Sequence, residues 1–221
     1  MAGIYIHIPF CRQKCHYCNF YSVASLKNRD NILEALIHEI DLQKNYLDGD
    51  AIETIYFGGG TPSLLTGDEI NRIIDELANY HPIIQAPEIT LEVNPDDLGK
   101  EKIAALNSTP INRLSIGVQS FFDQDLKYLN RVHTANDALT SVKLAIDSGF
   151  SNLSIDLIYG IPTLTEENWQ RNLETFFSMN LPHLSAYALT VEPKTALDVL
   201  ISWNKMKPVE EEIVVSHFNQ L

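Results

Sequence analysis

Short apolar runs and longer amphipathic runs alternate along this chain. "IYIHIPF" at 4–10 has the look of a strand, and 31–47 then carries apolar residues at helical spacing. "AIETIYFGGG" at 51–60 predicts a strand that ends in glycines, and 67–80 a helix with Thr66 as its N-cap. A strand over 88–95 precedes a short helix over 100–108. A strand over 113–120 precedes a helix over 135–150 that stops near Gly149. The last pattern is a strand at 152–160, a helix at 165–180 and a strand at 183–191. Six strands interleaved with helical sequence predict a parallel sheet.

Two architectures share that order: an open doubly wound sheet and a barrel-like array. No GxGxxG follows the first strand, which speaks against dinucleotide binding. Glycines and polar residues gather where strands end, at Gly58 to Thr61, Glu92 to Asn94, Gln119 and Asp156. The C-terminal strand ends form the active face of a (β/α) barrel. The expected fold class is therefore α/β, a partial (β/α)6 TIM-like barrel of parallel strands, filling 1–195. After Val191 the strand signal ends, and an amphipathic helix opens near Pro208. Residues 196–221 are expected to begin a helical region whose remainder is absent.

With 221 residues, 45% hydrophobic and 20% charged, the chain has the size and balance of one large globular domain. No apolar run approaches the roughly 20 residues needed to span a bilayer. The start, "MAGIYIHIPF", lacks a basic n-region and a small-residue cleavage site, so a cytoplasmic location is expected. The formal net charge is −13 and Lys and Arg do not cluster, which argues against nucleic acid as a partner and against anionic membranes. A small anionic ligand held by one local Arg stays open.

All three cysteines, Cys11, Cys15 and Cys18, lie in "HIPFCRQKCHYCNFYS" at 7–22. An odd count outside an oxidising compartment points to metal or redox chemistry rather than a disulfide framework. Zinc would need a fourth ligand, for which His7 and His16 are near in sequence. A [4Fe–4S] cluster on three thiolates would keep one iron open to a small molecule. Three buried thiols acting as small hydrophobes fit poorly with a polar, basic loop.

Elsewhere, "GGGTP" at 58–62 would let backbone approach a ligand or make a tight turn. Glu92 suits a diol or a solvated strand end, and Arg131 offers a fork for a carboxylate. Asp156 stands among apolar residues, where a lone carboxylate is costly unless paired. Phe57, Trp169, Phe176 and Tyr187 are expected in the core, and Asp96 and Asp97 in a solvated turn.

"CRQKCHYC" resembles the CxxxCxxC signature of the radical SAM superfamily. "YIHIPFC", "YFGGGTPS", "LEVNPDD", "RLSIGVQS", "LNRVH" and "DLIYGIP" extend the likeness from about residue 4 to 191. Together they resemble the HemN/HemW group, the oxygen-independent coproporphyrinogen III oxidase-like proteins. The resemblance implies a [4Fe–4S] cluster on Cys11, Cys15 and Cys18, with S-adenosyl-L-methionine on the open iron. It places Tyr17 against the adenine, and Gly59, Gly60 and Thr61 at the methionine amino group. It places Glu92 at the ribose hydroxyls, and Gln119, Arg131 and Asp156 at other cofactor groups. Tyr5 is expected near the cofactor carboxylate, and Ala188 at a backbone contact. The implied chemistry is one-electron cleavage of the sulfonium, giving methionine and a 5′-deoxyadenosyl radical.

One departure separates the branches. The oxidase pattern has a fourth cysteine two places after the third, where this chain has Phe20. The oxidases also carry an extension before the first strand. Both differences match the HemW-type branch, whose members bind haem. The implied partners are haem or a porphyrinogen, an electron donor, and haem-receiving respiratory proteins. The alternative is radical oxidative decarboxylation of coproporphyrinogen III to protoporphyrinogen IX. The haem-binding histidine motif of the HemW branch falls past the region present, so weak haem binding is expected.

Overall fold

Period-2 alternation along each strand separates two faces of unlike chemistry. A computed structural model describes residues 2–221. Its strands are β1 (Ala2–Ile8), β2 (Ile52–Gly59), β3 (Ile83–Val93), β4 (Arg113–Gln119), β5 (Asn152–Tyr159) and β6 (His183–Ala188). They form one sheet in sequence order, with every adjacent pair parallel. Strands β1 and β6 stand at the two edges without pairing, so the barrel is open.

On one face Ile6, Ile55, Phe57, Leu91, Leu114, Ile116, Leu153 and Ile155 are buried in a single apolar core. The helices cover that face: α1 (Arg29–Leu42), α2 (Gly67–Tyr80), α3 (Lys100–Leu106), α4 (Asp123–Leu129), α5 (Ala135–Asp147) and α6 (Glu166–Ser178). The opposite, inner face carries Tyr5, Tyr56, Glu92, Arg113, Ser115, Ser154, Asp156 and Ser185, as the strand register requires. A parallel sheet buried on both faces would read as continuous apolar sequence. This one keeps a polar inner face, which makes room for a polar ligand.

Local signals set the helix starts. Thr66, the expected N-cap of α2, forms a capping box with Glu69, its N donating to Glu69 Oε2 over 2.7 Å. Thr134 caps α5 in the same way. Helix α1 stops at Leu42 rather than 47, and residues 43–49 follow as turns that end in positive φ at Asp48 and Gly49. Strand β3 starts at Ile83, earlier than expected, and its pairing with β2 jumps from Ile52–Ile83 to Thr54–Glu88 across the interval that contains Pro87. Two helices went unread in the sequence. Helix α4 and α7 (Ala196–Ser202) have only seven residues each, too few to establish a period. Residues 196–221 hold α7 and α8 (Glu211–Gln220). Helix α8 packs on α6 and β5: Trp169 Nε1 donates to His217 O over 2.9 Å, and Gly160 N donates to His217 Nδ1 over 3.1 Å. No helix among the described residues is long and apolar enough to cross a membrane.

Candidate functional site

The three cysteines sit on a loop between β1 and α1 that is fastened at its ends. Cys11 N donates to Val23 O (3.1 Å), and Val23 N to Pro9 O (2.8 Å). The middle of the loop is held by the turn after α4. His16 N donates to Leu129 O, Gln13 Nε2 to Asn130 O and Asn130 Nδ2 to Lys14 O, all between 2.9 and 3.1 Å. Helix α7 reaches the same loop, with Leu197 N donating to His16 O over 2.8 Å. All three thiols are free. Burial raises the Cys18 thiol pKa, and the neighbouring Cys15 and Cys11 add to the rise while Lys14 opposes it. The thiols therefore crowd one another electrostatically, the situation that bound iron would relieve.

A cavity of about 420 Å³ opens beside this loop at the C-terminal ends of the strands. It brings together Cys11, Cys15, Cys18 and Tyr17 with Gly59, Gly60, Thr61, Glu92, Gln119, Arg131, Asp156 and Ala188. Every candidate residue except Tyr5 thus lines one space. Gly60 has to be glycine: a Cβ there would lie 2.5 Å from Phe10 O, where the β2 turn crosses the root of the cysteine loop. Gln119 ends β4 with φ of +68° beside a register shift, a strained backbone placed at the cavity wall.

The polar side chains are held in place by one another. Glu92 accepts from Tyr56 OH (2.8 Å) and from Gly59 N (3.2 Å). Burial pushes its carboxyl above the ordinary range, Tyr56 opposes the shift and Asp156 adds to it. Burial raises Asp156 too, opposed by the hydroxyls of Ser185 and Ser115. Arg131 is half-buried at the cavity wall. Its Nη2 donates to Asn94 Oδ1 (2.6 Å) and Gly117 O (2.9 Å), and its Nη1 approaches Cys15 Sγ at 3.4 Å. Burial works against the guanidinium charge, but Tyr17, Cys15 and Asp96 hold it. Burial raises the Tyr17 hydroxyl, which neighbours Arg131, Cys15 and Cys18.

Two expectations need correction, those for Tyr187 and Asp97, and Tyr5 stands apart from the other candidates. Tyr5 stays outside the cavity lining: it is 58% exposed, stacks on Tyr56 and lies over Gly58, deeper along β1 than the thiols. Tyr187 is not core. It stands on the polar face of edge strand β6, is 56% exposed and lines the cavity. Phe57, Trp169 and Phe176 are buried as expected. Asp97 is not in a solvated turn; its side chain is 2% exposed, accepts from Ser63 Oγ (2.7 Å) and pairs with Arg12 (2.9 Å). Asp96 is partly buried and lies 3.7 Å from His133 Nδ1.

Asn94, Tyr56, Ser115 and Gly117 were missed as candidates. Their signal was available: each shares its strand's inward parity with Glu92 or Asp156.

The residues present fit a multi-iron cluster better than one metal ion. Among the described residues, no three His, Cys, Asp or Glu side chains converge as a single ion requires. His7 is occupied at both ring nitrogens, by Tyr21 O and Tyr5 OH, and His16 Nδ1 lies 3.1 Å from Tyr128 O. Three separate thiols at one end of a polar cavity suit iron atoms held one per sulfur, with a chelating ligand beside them.

A family model described as the radical SAM superfamily matches residues 5–176, and the chain belongs to that superfamily. Such a family implies a [4Fe–4S] cluster and S-adenosyl-L-methionine. Among its relatives are proteins named heme chaperone HemW. That of Escherichia coli (strain K12) is 39% identical over 196 residues, covering 87% of this chain and 52% of the relative. That of Bacillus subtilis (strain 168) is 37% identical over 217 residues, covering 96% and 57%. Coproporphyrinogen III oxidase (HemN) from Escherichia coli, described as a radical SAM enzyme, superposes with a TM-score of 0.85 at 26% identity. That match covers 99% of this chain and 50% of the other. The chain thus spans about half the length of the relatives it matches.

Proposed function

We propose that this chain is the cofactor-binding core of a HemW-like haem chaperone, with a [4Fe–4S] cluster on Cys11, Cys15 and Cys18 and S-adenosyl-L-methionine in the adjoining cavity. The observation that carries the reading is convergence. One loop supplies every thiol, and the ends of β2 to β6 bring polar groups to the same 420 Å³ space. The bound pair supplies one-electron chemistry at a sulfonium carbon.

The chain's own residues bind and orient. Gly59, Gly60 and Thr61 present backbone to the ligand's amino group. Glu92, fixed by Tyr56 and Gly59 N, accepts from the ribose hydroxyls. Arg131 and Gln119 face the carboxylate end, Asp156 completes the polar floor, and Tyr17 and Ala188 bracket the adenine. Tyr5 acts from outside the lining, through its stack on Tyr56. Three free thiols fit a reducing, cytoplasmic setting. An electron donor, haem and haem-receiving respiratory proteins are the partners this reading calls for.

Phe20 and the named relatives favour the chaperone branch, whereas the close superposition on HemN keeps the oxidase reading as the second. Anaerobic reconstitution with iron, sulfide and S-adenosyl-L-methionine tests the core. A charge-transfer absorption band and ligand binding that perturbs the reduced cluster's spin resonance are expected; their absence would remove the reading. Haem titration and incubation with coproporphyrinogen III, on a protein of the relatives' full length, separate the branches. Haem binding without turnover supports the chaperone, and formation of protoporphyrinogen IX supports the oxidase.

A further inference from the structure

The cysteine loop is tied firmly on one side. The turn after α4 and the start of α7 hold residues 13–16 through backbone and amide contacts. Toward β3, Arg131 links Cys15 to Asn94, and a second hold is different in kind. It is the ion pair of Arg12, one residue past Cys11, with Asp97 on the short turn Pro95–Asp97 that follows β3. The two side chains differ sharply in exposure, 61% for Arg12 and 2% for Asp97.

That asymmetry has a physical consequence. Asp97 Oδ1 is buried and takes no hydrogen bond, so the guanidinium 2.9 Å away is what compensates it. Its other oxygen accepts from Ser63 Oγ on the turn after β2. Burial raises the Asp97 carboxyl; Ser63, Arg12 and Lys102 oppose that and Asp96 adds to it. Lys102 is itself turned to Leu65 O. A buried carboxylate that loses its counter-charge is strongly destabilised, so Asp97 draws Arg12 inward rather than tolerating it. The carboxylate thus fixes where the loop passes the ends of β2 and β3.

We propose that Asp97 is a positioning residue for the cysteine loop, acting through Arg12 to set Cys11 and Cys15 before any iron is bound. The proposal rests on the reading that these thiols hold a cluster. Its test has one arm that needs no iron. The iron-free protein is treated with iodoacetamide, and alkylation is followed at each cysteine by mass spectrometry. Arg12→Ala removes a mostly exposed side chain, so the fold persists even if Asp97→Asn does not fold. The expected result, read at a pH where the thiols are ionised so that the lost guanidinium does not alter the thiolate fraction, is about tenfold faster alkylation at Cys11 and Cys15, the factor for loss of one charge-assisted contact. Cys18 should change less, and circular dichroism should show the fold intact even though loss of the Asp97 counter-charge lowers the denaturation midpoint.

After reconstitution, Arg12→Ala should lose iron to a chelator faster than wild type, and Arg12→Lys should recover part of the difference. If the two residues act as one device, Arg12→Ala/Asp97→Asn is no worse than the poorer single variant. Wild-type alkylation in Arg12→Ala, or additive losses in the double variant, would overturn the proposal. Failure of the wild type to take up iron would instead overturn the cluster reading, with the alkylation comparison still deciding Asp97.

Discussion

Glu92 and Asp156 show most plainly what this site asks of single residues. Both are half-buried carboxyls with raised pKa values, desolvation being the leading cause in each. The folded chain therefore binds protons that the unfolded chain releases. Stability from this source is present at low pH and is lost as pH climbs from the ordinary carboxylate range through the raised folded values. Glu92→Gln should flatten that decline in a denaturation series across weakly acidic to neutral pH, while weakening S-adenosyl-L-methionine binding at least tenfold, about 1.4 kcal/mol, by calorimetry. An unchanged pH slope would show that Glu92 is not the source. Cys15→Ala should leave the reconstituted protein almost without iron, because two thiolates remain for a cluster that needs three; full iron content would refute the ligand set. Residue types and spacing made these positions legible. The same reasoning misplaced Asp97 and Tyr187, since nothing local distinguishes a buried turn carboxylate from a solvated one.

At the scale of elements, α8 closes over the end of β5 through one histidine. His217 is fully buried, stacks on Trp169 and accepts from Gly160 N. Burial lowers its pKa, with Glu166 opposing. For a histidine held neutral in the fold, the stabilisation is present above the unfolded value of about 6.5 and is lost as pH falls toward the lowered folded value. The protection factor of the Gly160 amide should therefore drop on mild acidification, measured by hydrogen exchange. An unaltered factor would mean that α8 is held by other contacts. Gly160→Ala should loosen the same joint by about 1–3 kcal/mol in denaturant, since φ is +75° and the new Cβ would lie 2.5 Å from Val214 Cγ2. Periodicity exposed the longer helices but not α4 or α7, whose role is to grip the cysteine loop rather than to extend a hydrophobic stripe.

For the whole molecule, the open edge between β1 and β6 and the polar inner face define a vessel that is incomplete without its contents. Ligand binding to the folded state alone should then stabilise it by mass action. At about a hundred times its dissociation constant, S-adenosyl-L-methionine should add about 2.7 kcal/mol to the reconstituted protein's unfolding free energy. The same addition to Cys15→Ala should add little. Equal stabilisation of both would place the ligand away from the cluster. Charge is also distributed at this scale. Residues 1–29 contain four Lys or Arg and no Asp or Glu, within a chain of net charge −13. The cysteine loop is thus a basic segment in an acidic protein.

The sequence by itself determined the order of strands and helices, the parallel sheet and the single loop of three thiols. These follow from periods of 2 and 3.6 residues and from spacing, which are local properties. It also marked the strand ends where Gly59, Glu92 and Gln119 stand, and Asp156, which the structure places in the middle of β5 rather than at its end. Tertiary structure decided which of those ends share one cavity and what holds them there. Arg131 meets Cys15 across 116 residues of chain, and Asp97 meets Ser63 across 34. Such pairs depend on the curvature and register of the open sheet. A pattern read along the chain carries no record of them.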